Sequence, residues 1–185
     1  MATFARTVVT SGLRDRAVLL IGFAGAMRRS ELVGLNVNDL KETKAGLHLY
    51  IRTSKTDQEA MGQIIAIAPG KTACPVKALK AWLTAAKITN GPIFRPIFNG
   101  GRLSTNRLSD RAVTEIVKIY AKRIGLDPTS FSAHSLRAGF LTSAAQSGAS
   151  VFKMMDVSRH KRMDTVRGYV RATEQFYDHA GKGLL

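Results

Sequence analysis

With 185 residues and 45% hydrophobic side chains, the chain is long enough for one domain with a buried core, and nothing in it resembles a disordered or low-complexity polypeptide. Its 28 Lys and Arg against 13 Asp and Glu give a formal net charge of +15, which favours a polyanionic partner, since each neutralised phosphate releases condensed counterions; a ribosomal or simply soluble basic protein would show the same balance. The single cysteine, Cys74, excludes an internal disulfide, and no Cys/His cluster has zinc spacing, which fits a cytoplasmic chain.

Residues 13–27 carry the pattern of a mostly buried helix, which Ser30 and Glu31 continue and Val33, Gly34 and Leu35 end. Its apolar run, 17–27, spans 11 residues between Arg14, Arg16, Arg28 and Arg29. A bilayer span takes about 20, and no cleavage-site pattern follows, so a core helix is expected. Residues 36–40 read as a short helical turn. In 46–53, Leu47, Leu49 and Ile51 alternate with His48, Tyr50 and Arg52, as in a half-buried strand. Residues 63–68 are a second β-branched run, and the polar stretch 54–62 joins the two as a hairpin or small meander.

Beyond Pro75 the chain reads as helical. Pro75 suits a first helical turn with Cys74 ahead of it, and Val76, Leu79, Trp82, Leu83 and Ala86 form a stripe at helical spacing. Residues 90–101 are a loop rich in Pro and Gly. A helix over 109–124 carries Val113, Ile116, Val117 and Tyr120 and stops at Gly125. After a loop at 128–132, a helix runs over 133–146 and ends by Gly148; Ser150 caps a short helix to Val157. Residues 163–171 form another, and Thr173 opens a last one. There is no internal repeat or interdomain linker. The expected class is α+β, mainly α: one domain over 1–185 with a small antiparallel sheet inserted near its N-terminal third.

Four local patterns carry chemistry. Arg28 and Glu31 lie three apart in a helical context, so they share a face and can pair. The carboxylate would hold the guanidinium while its fork grips a phosphate; a surface ion pair has the same spacing. Arg29, next door, faces elsewhere, toward a nucleic-acid backbone or solvent. His134 and Arg137 share one face at a helix start, where the dipole favours an anion; a capping histidine and a surface arginine are the plain alternative. Lys55 sits in the polar tip of the hairpin, able to swing into a DNA groove or stand solvated. Of four tyrosines, Tyr169 follows His160 by nine residues within a basic stretch that includes Arg167 and Arg171. That field would hold a phosphate beside the phenol, although a packing aromatic fits the position too. Tyr50 belongs to a strand and Tyr120 to a core stripe, while Tyr177 is the rival, beside Asp178 and near Glu174.

Taken in order, these stretches resemble the catalytic domain of the tyrosine recombinases, the phage-integrase family. The matching stretches are GLRDRA at 12–17, GAMRRSEL at 25–32, SKTD at 54–57, HSLRAG at 134–139 and HKRMDTVRGYVR at 160–171. The resemblance implies a catalytic set of Arg28, Lys55, His134, Arg137, His160 and Tyr169, with Glu31 supporting Arg28. Arg29, Arg52, Arg159, Lys161 and Arg162 are expected to contact DNA. It implies cleavage and rejoining of double-stranded DNA through a 3′-phosphotyrosyl link at Tyr169, with no metal, no ATP and no other cofactor. It also implies a homotetramer on paired sites when full length, and a prokaryotic, phage or mobile-element source. Two departures stand out: Arg159 occupies a position where the family usually has Gly, and the family's N-terminal core-binding domain is expected to be absent. A type IB topoisomerase-like enzyme would share the chemistry. A non-catalytic DNA-binding protein with a recombinase fold is the other alternative, which the complete set of six residues argues against.

Overall fold

One long helix links two hydrophobic clusters, and the functional side chains collect where that helix breaks. The computed structural model describes residues 2–52 and 62–174. Helix α1 (Ala2–Ala24) fully buries Ala17, Val18 and Ile21. It packs against α3 (Pro75–Ala85), where Leu79 and Trp82 are buried. Trp82 Nε1–H donates to the Ile93 carbonyl at 2.9 Å, which ties the long loop after α3 into the same core. Short helix α2 (Arg29–Gly34) and a 3-10 turn (Val37–Asp39) follow α1.

The strands β1 (Leu40–Thr43), β2 (Gly46–Ile51) and β3 (Gln63–Ile67) pair antiparallel in the order β1-β2-β3. The register sets Leu49 opposite both Leu40 and Ile65, and Leu47 opposite Ile67. The alternation expected for β2 holds, because side chains of opposite parity leave opposite faces. Leu47, Leu49 and Ile51 are buried with Ile65 and Ile67, while Tyr50 and Ile64 stand outward. Gly46 is required at the β1–β2 turn: a Cβ there would collide with the Ile67 carbonyl. β1 was not expected. Its one apolar residue gives no alternation, and pairing to β2 sets its conformation.

Helix α4 (Asp110–Arg123) begins at Ser109, whose Oγ accepts the Ala112 N–H at 3.2 Å. A second 3-10 turn (Pro128–Ser130) leads to α5 (His134–Gln146), α6 (Val151–Ser158) and α7 (Met163–Glu174). Leu141, Ala145, Met154 and Val166 from these three helices form the second cluster, with Tyr169 packed against it. α1 joins the clusters through Phe23, edge-on to Phe140 at 5.9 Å, and through Gly22, where an added Cβ would meet Leu136 Cδ1 at 2.8 Å. Among the described residues no helix is long and apolar enough to cross a membrane.

Two expectations are corrected here. The first helix does not run on through Glu31; it stops at Ala24 and restarts at Arg29. The helix expected over 163–171 runs on through Thr173 to Glu174, and the rest of the last helix expected from Thr173 lies outside the described residues.

Candidate active site

The break after α1 creates the site. Ala26 takes φ 44, in the left-handed region, and the Met27 N–H returns to the Gly22 carbonyl at 2.9 Å, closing the helix. The Gly25 and Ala26 carbonyls are then available to side chains from elsewhere. Arg137, on α5, donates from Nη1 to Ala26 O at 2.6 Å. Arg159 donates to Gly25 O at 3.0 Å and to Ala26 O at 3.3 Å.

Arg28 starts α2. Its N–H donates to Glu31 Oε2 at 2.9 Å and its Nη1 to Oε1 at 2.7 Å, so Glu31 caps the backbone and holds the side chain at once. Arg159 Nη2 donates to Glu31 Oε2 at 2.6 Å. The Glu31 side chain is 1% exposed. Burial, the largest single influence, pushes its carboxyl up. The Arg159 charge and the bonds from Arg28 together outweigh burial and hold it below the ordinary range.

Arg137 is 2% exposed, and among the described residues its Nη2 has no hydrogen-bond partner. Burial, reinforced by the charges of Arg28 and Arg159, lowers its pKa to about 10, while Glu31 and Tyr169 act in the opposite sense. Among the described residues, Glu31 pairs with both Arg28 and Arg159, and Arg137 stands close enough for both arginine charges to act on it. His160 joins this group. Its Nδ1 lies 2.8 Å from Oγ of fully buried Ser158. Burial first, then Arg137, Arg28, His134 and Arg159, pushes its pKa down to about 4, so the ring is neutral at pH 7.

His134 opens α5, its N–H donating to Ser132 Oγ at 3.2 Å. With Arg28, Arg29 and Ser30 it lines a cleft of about 280 Å³. Tyr169 is half-buried on α7 and electrostatically coupled to Arg137. The structure therefore gathers Arg28, Glu31, His134, Arg137, His160 and Tyr169. Lys55 and Tyr177 lie outside the described residues. Tyr50 is on the outer face of the sheet, and burial followed by Asp15 pushes the Tyr120 phenol up, which makes it a poorer nucleophile.

The sequence profile of the Phage integrase family matches residues 1–175. The chain belongs to the phage integrase family. It is 46% identical over 172 residues to an integrase/recombinase XerD homolog of Selenomonas ruminantium, covering 92% of this chain and 50% of that protein. It is 31% identical to the tyrosine recombinase XerC of Pelotomaculum thermopropionicum, over 88% of this chain and 51% of that protein. The chain thus spans about half the length of these curated relatives. Its fold superposes on XerH site-specific recombinase, solved in a post-cleavage complex with palindromic difH substrate, with TM-score 0.72 at 18% identity over 95% of this chain and 47% of that one. XerA recombinase gives TM-score 0.69 at 19% identity over 97% and 62%.

Within this phage-integrase site, Arg159 differs from expectation. It does not stand on the surface to meet DNA: its side chain is 5% exposed, drawn inward by the Glu31 carboxylate and the carbonyls of the helix break. Arg29, Arg52 and Arg162 are exposed, each with a carboxylate neighbour in Asp110, Asp39 and Asp164, and Lys161 is exposed. Ser158 is a residue that sequence reasoning missed; its only signal was a hydroxyl two positions before His160.

The depressed His160 pKa has a stability consequence. Between about 4 and the ordinary 6.5 the unfolded chain takes up a proton that the folded ring refuses, so folding stability falls as pH drops through that window. The expected result is a melting temperature that declines less from pH 7 to pH 4.5 in His160→Gln than in the parent. Parallel declines would contradict the neutral, buried ring.

Proposed function

We propose that the chain is the catalytic domain of a site-specific tyrosine recombinase, which cuts and rejoins double-stranded DNA through a covalent bond to Tyr169. One observation carries this reading: among the described residues the buried Nη2 of Arg137 has no hydrogen-bond partner, and it lies in a cluster with Arg28 and Arg159, coupled to Tyr169. A dry, unpaired guanidinium N–H is unfavourable until an anion completes it. A phosphodiester supplies both the acceptor oxygens and the charge. The two relatives named as recombinases support the same reading.

The Tyr169 phenol oxygen attacks the scissile phosphorus, and the bond from phosphorus to the 5′ oxygen breaks. The products are a 3′-phosphotyrosyl link and a 5′-hydroxyl. One phosphoester bond replaces another, so rejoining needs no ATP. Negative charge grows on the non-bridging oxygens, where Arg28 and Arg137 are already oriented by Glu31 and the Ala26 carbonyl. When the Ser158 hydroxyl donates to His160 Nδ1, the neutral ring carries its proton on Nε2 and can donate to the same oxygens. His134 assists proton transfer at the phenol, and Lys55 protonates the leaving 5′ oxygen. Arg29, Arg52, Lys161 and Arg162 contact the DNA backbone, and exchange proceeds in a homotetramer on paired sites.

The test is a pool of nicked duplexes with randomised sequence around the nick, incubated with the protein and run on a denaturing gel. Escape of the short 5′-hydroxyl strand traps the intermediate. A protein-linked band is expected; tight DNA binding without one would mark a non-catalytic binder. Relaxation of supercoiled plasmid without site dependence would favour a topoisomerase.

DNA affinity is expected to fall steeply with salt. Each phosphate neutralised contributes about −0.9 to the slope of log affinity against log salt, so four exposed basic contacts give about −3.6. A fluorescence-anisotropy titration between 50 and 200 mM salt measures it, and a flat response would contradict backbone contact by these residues.

A further inference from the structure

The proposed reaction uses Arg28 and Arg137 directly but gives no work to Arg159, the third guanidinium of the cluster. Its placement is costly. Arg159 adopts φ 60 and ψ 36, a left-handed conformation that favours glycine, and its buried Nε has no hydrogen-bond partner among the described residues. Five anchors hold it there. Its backbone N–H closes α6 on Met155 O at 2.6 Å, and Nη1 reaches Gly25 O at 3.0 Å and Val157 O at 2.6 Å. Nη2 reaches Ala26 O at 3.3 Å and Glu31 Oε2 at 2.6 Å. One side chain thus ties the end of α6, immediately before His160, to the α1 break and to the carboxylate that holds Arg28.

We propose that Arg159 is a positioning residue for phosphate binding, which acts through Glu31 to fix the Arg28 guanidinium. This rests on the recombinase reading of the site. The geometry separates Arg159 from a phosphate-contacting arginine: its fork is spent on three carbonyls and one carboxylate. With Oε2 taken by Arg159 and the Arg28 N–H, Oε1 is the oxygen that receives Arg28 Nη1 at 2.7 Å. Without Arg159, Glu31 keeps its bonds from the Arg28 N–H and Nη1 but loses the brace to the end of α6, so the Arg28 fork is held less firmly, although its charge stays.

The experiment is a double-mutant cycle on single-turnover cleavage of the nicked-duplex pool. The variants are Arg159→Gly, Glu31→Gln and the pair. Glycine suits the left-handed backbone, so a loss of rate does not come from strain at that residue. Arg159→Gly is expected to slow cleavage tenfold or more with DNA affinity within twofold of the parent. In the Glu31→Gln background the same change should slow it less than threefold, because the route through Glu31 is already cut. Arg159→Lys, which can keep the contact to Glu31 but not the three carbonyls, should fall between parent and Arg159→Gly. It serves as the folded comparison if Arg159→Gly melts. A second readout needs no cleavage: the Arg28 Nε–H signal in ¹⁵N NMR should broaden or exchange faster in both Arg159 variants. Fully multiplicative losses in the cycle, or an unchanged Arg28 signal in a folded variant, would overturn the proposal. A parent that forms no adduct contradicts the recombinase reading itself, and the Arg28 signal then still decides the role of Arg159.

Discussion

Tyr169→Phe is expected to eliminate protein-linked DNA while leaving DNA affinity within about twofold of the parent. Only the phenol oxygen is removed. The ring still packs against the cluster of Leu141, Met154 and Val166, so α7 keeps its seat. The arginines that attract the phosphate are untouched, and Arg137 keeps its bond to Ala26 O at 2.6 Å. Tyr177→Phe should leave adduct formation largely intact, because Tyr177 has Asp178 beside it and Glu174 nearby, and like charge opposes an anion there. The comparison is read on the denaturing gel, with anisotropy run in parallel. An adduct that persists in Tyr169→Phe contradicts the assignment of the nucleophile.

Arg137→Lys is the second large effect. Cleavage should drop on the order of 10²-fold or more, in line with losing one transition-state donor, while the fold survives. Arginine reaches two places at once: Nη1 satisfies the Ala26 carbonyl and Nη2 is left for the phosphate. Lysine has a single ammonium and cannot serve both as a fork does. It also titrates more easily. The environment that lowers Arg137 to about 10 by burial and by the charges of Arg28 and Arg159 would drive a lysine amine, with an ordinary pKa near about 10.4, toward neutrality. Circular dichroism and a thermal melt check the fold, and the single-turnover rate checks the chemistry. A near-parental rate with Lys at this position would show that Arg137 does not hold the phosphate.

The sequence announced what periodicity controls. Leu47, Leu49 and Ile51 alternate because β2 buries one face, and the stripe through Leu79 and Trp82 repeats at helical spacing because α3 buries one side. Ser109 and Ser150 were readable as helix starts, since each hydroxyl accepts a backbone N–H. Long-range contact set what stayed hidden. The end of α1 at Ala24 lies inside an unbroken apolar run, and a non-glycine residue, Ala26, takes the left-handed turn. That break is supported by Arg137 and Arg159, more than 100 residues away in sequence. β1 has no alternation of its own and borrows its conformation from β2. For the site, the order of Arg28, His134, Arg137, His160 and Tyr169 was visible as motif spacing. The reversal of Arg159, from surface cation to buried brace, depends on a left-handed residue after α6 and a carboxylate on another helix, and no local pattern signals either.

Mapping the covalent bond tests the central claim most directly. Adducts trapped on the nicked pool are digested with nuclease and protease, and the peptide carrying residual nucleotide is sequenced by mass spectrometry. The predicted result is a phosphonucleotide on the Tyr169 oxygen, attached through the 3′ end of the cut strand. A nucleotide on Tyr177, a 5′ linkage, or a protein that binds DNA tightly and yields no modified peptide would contradict it.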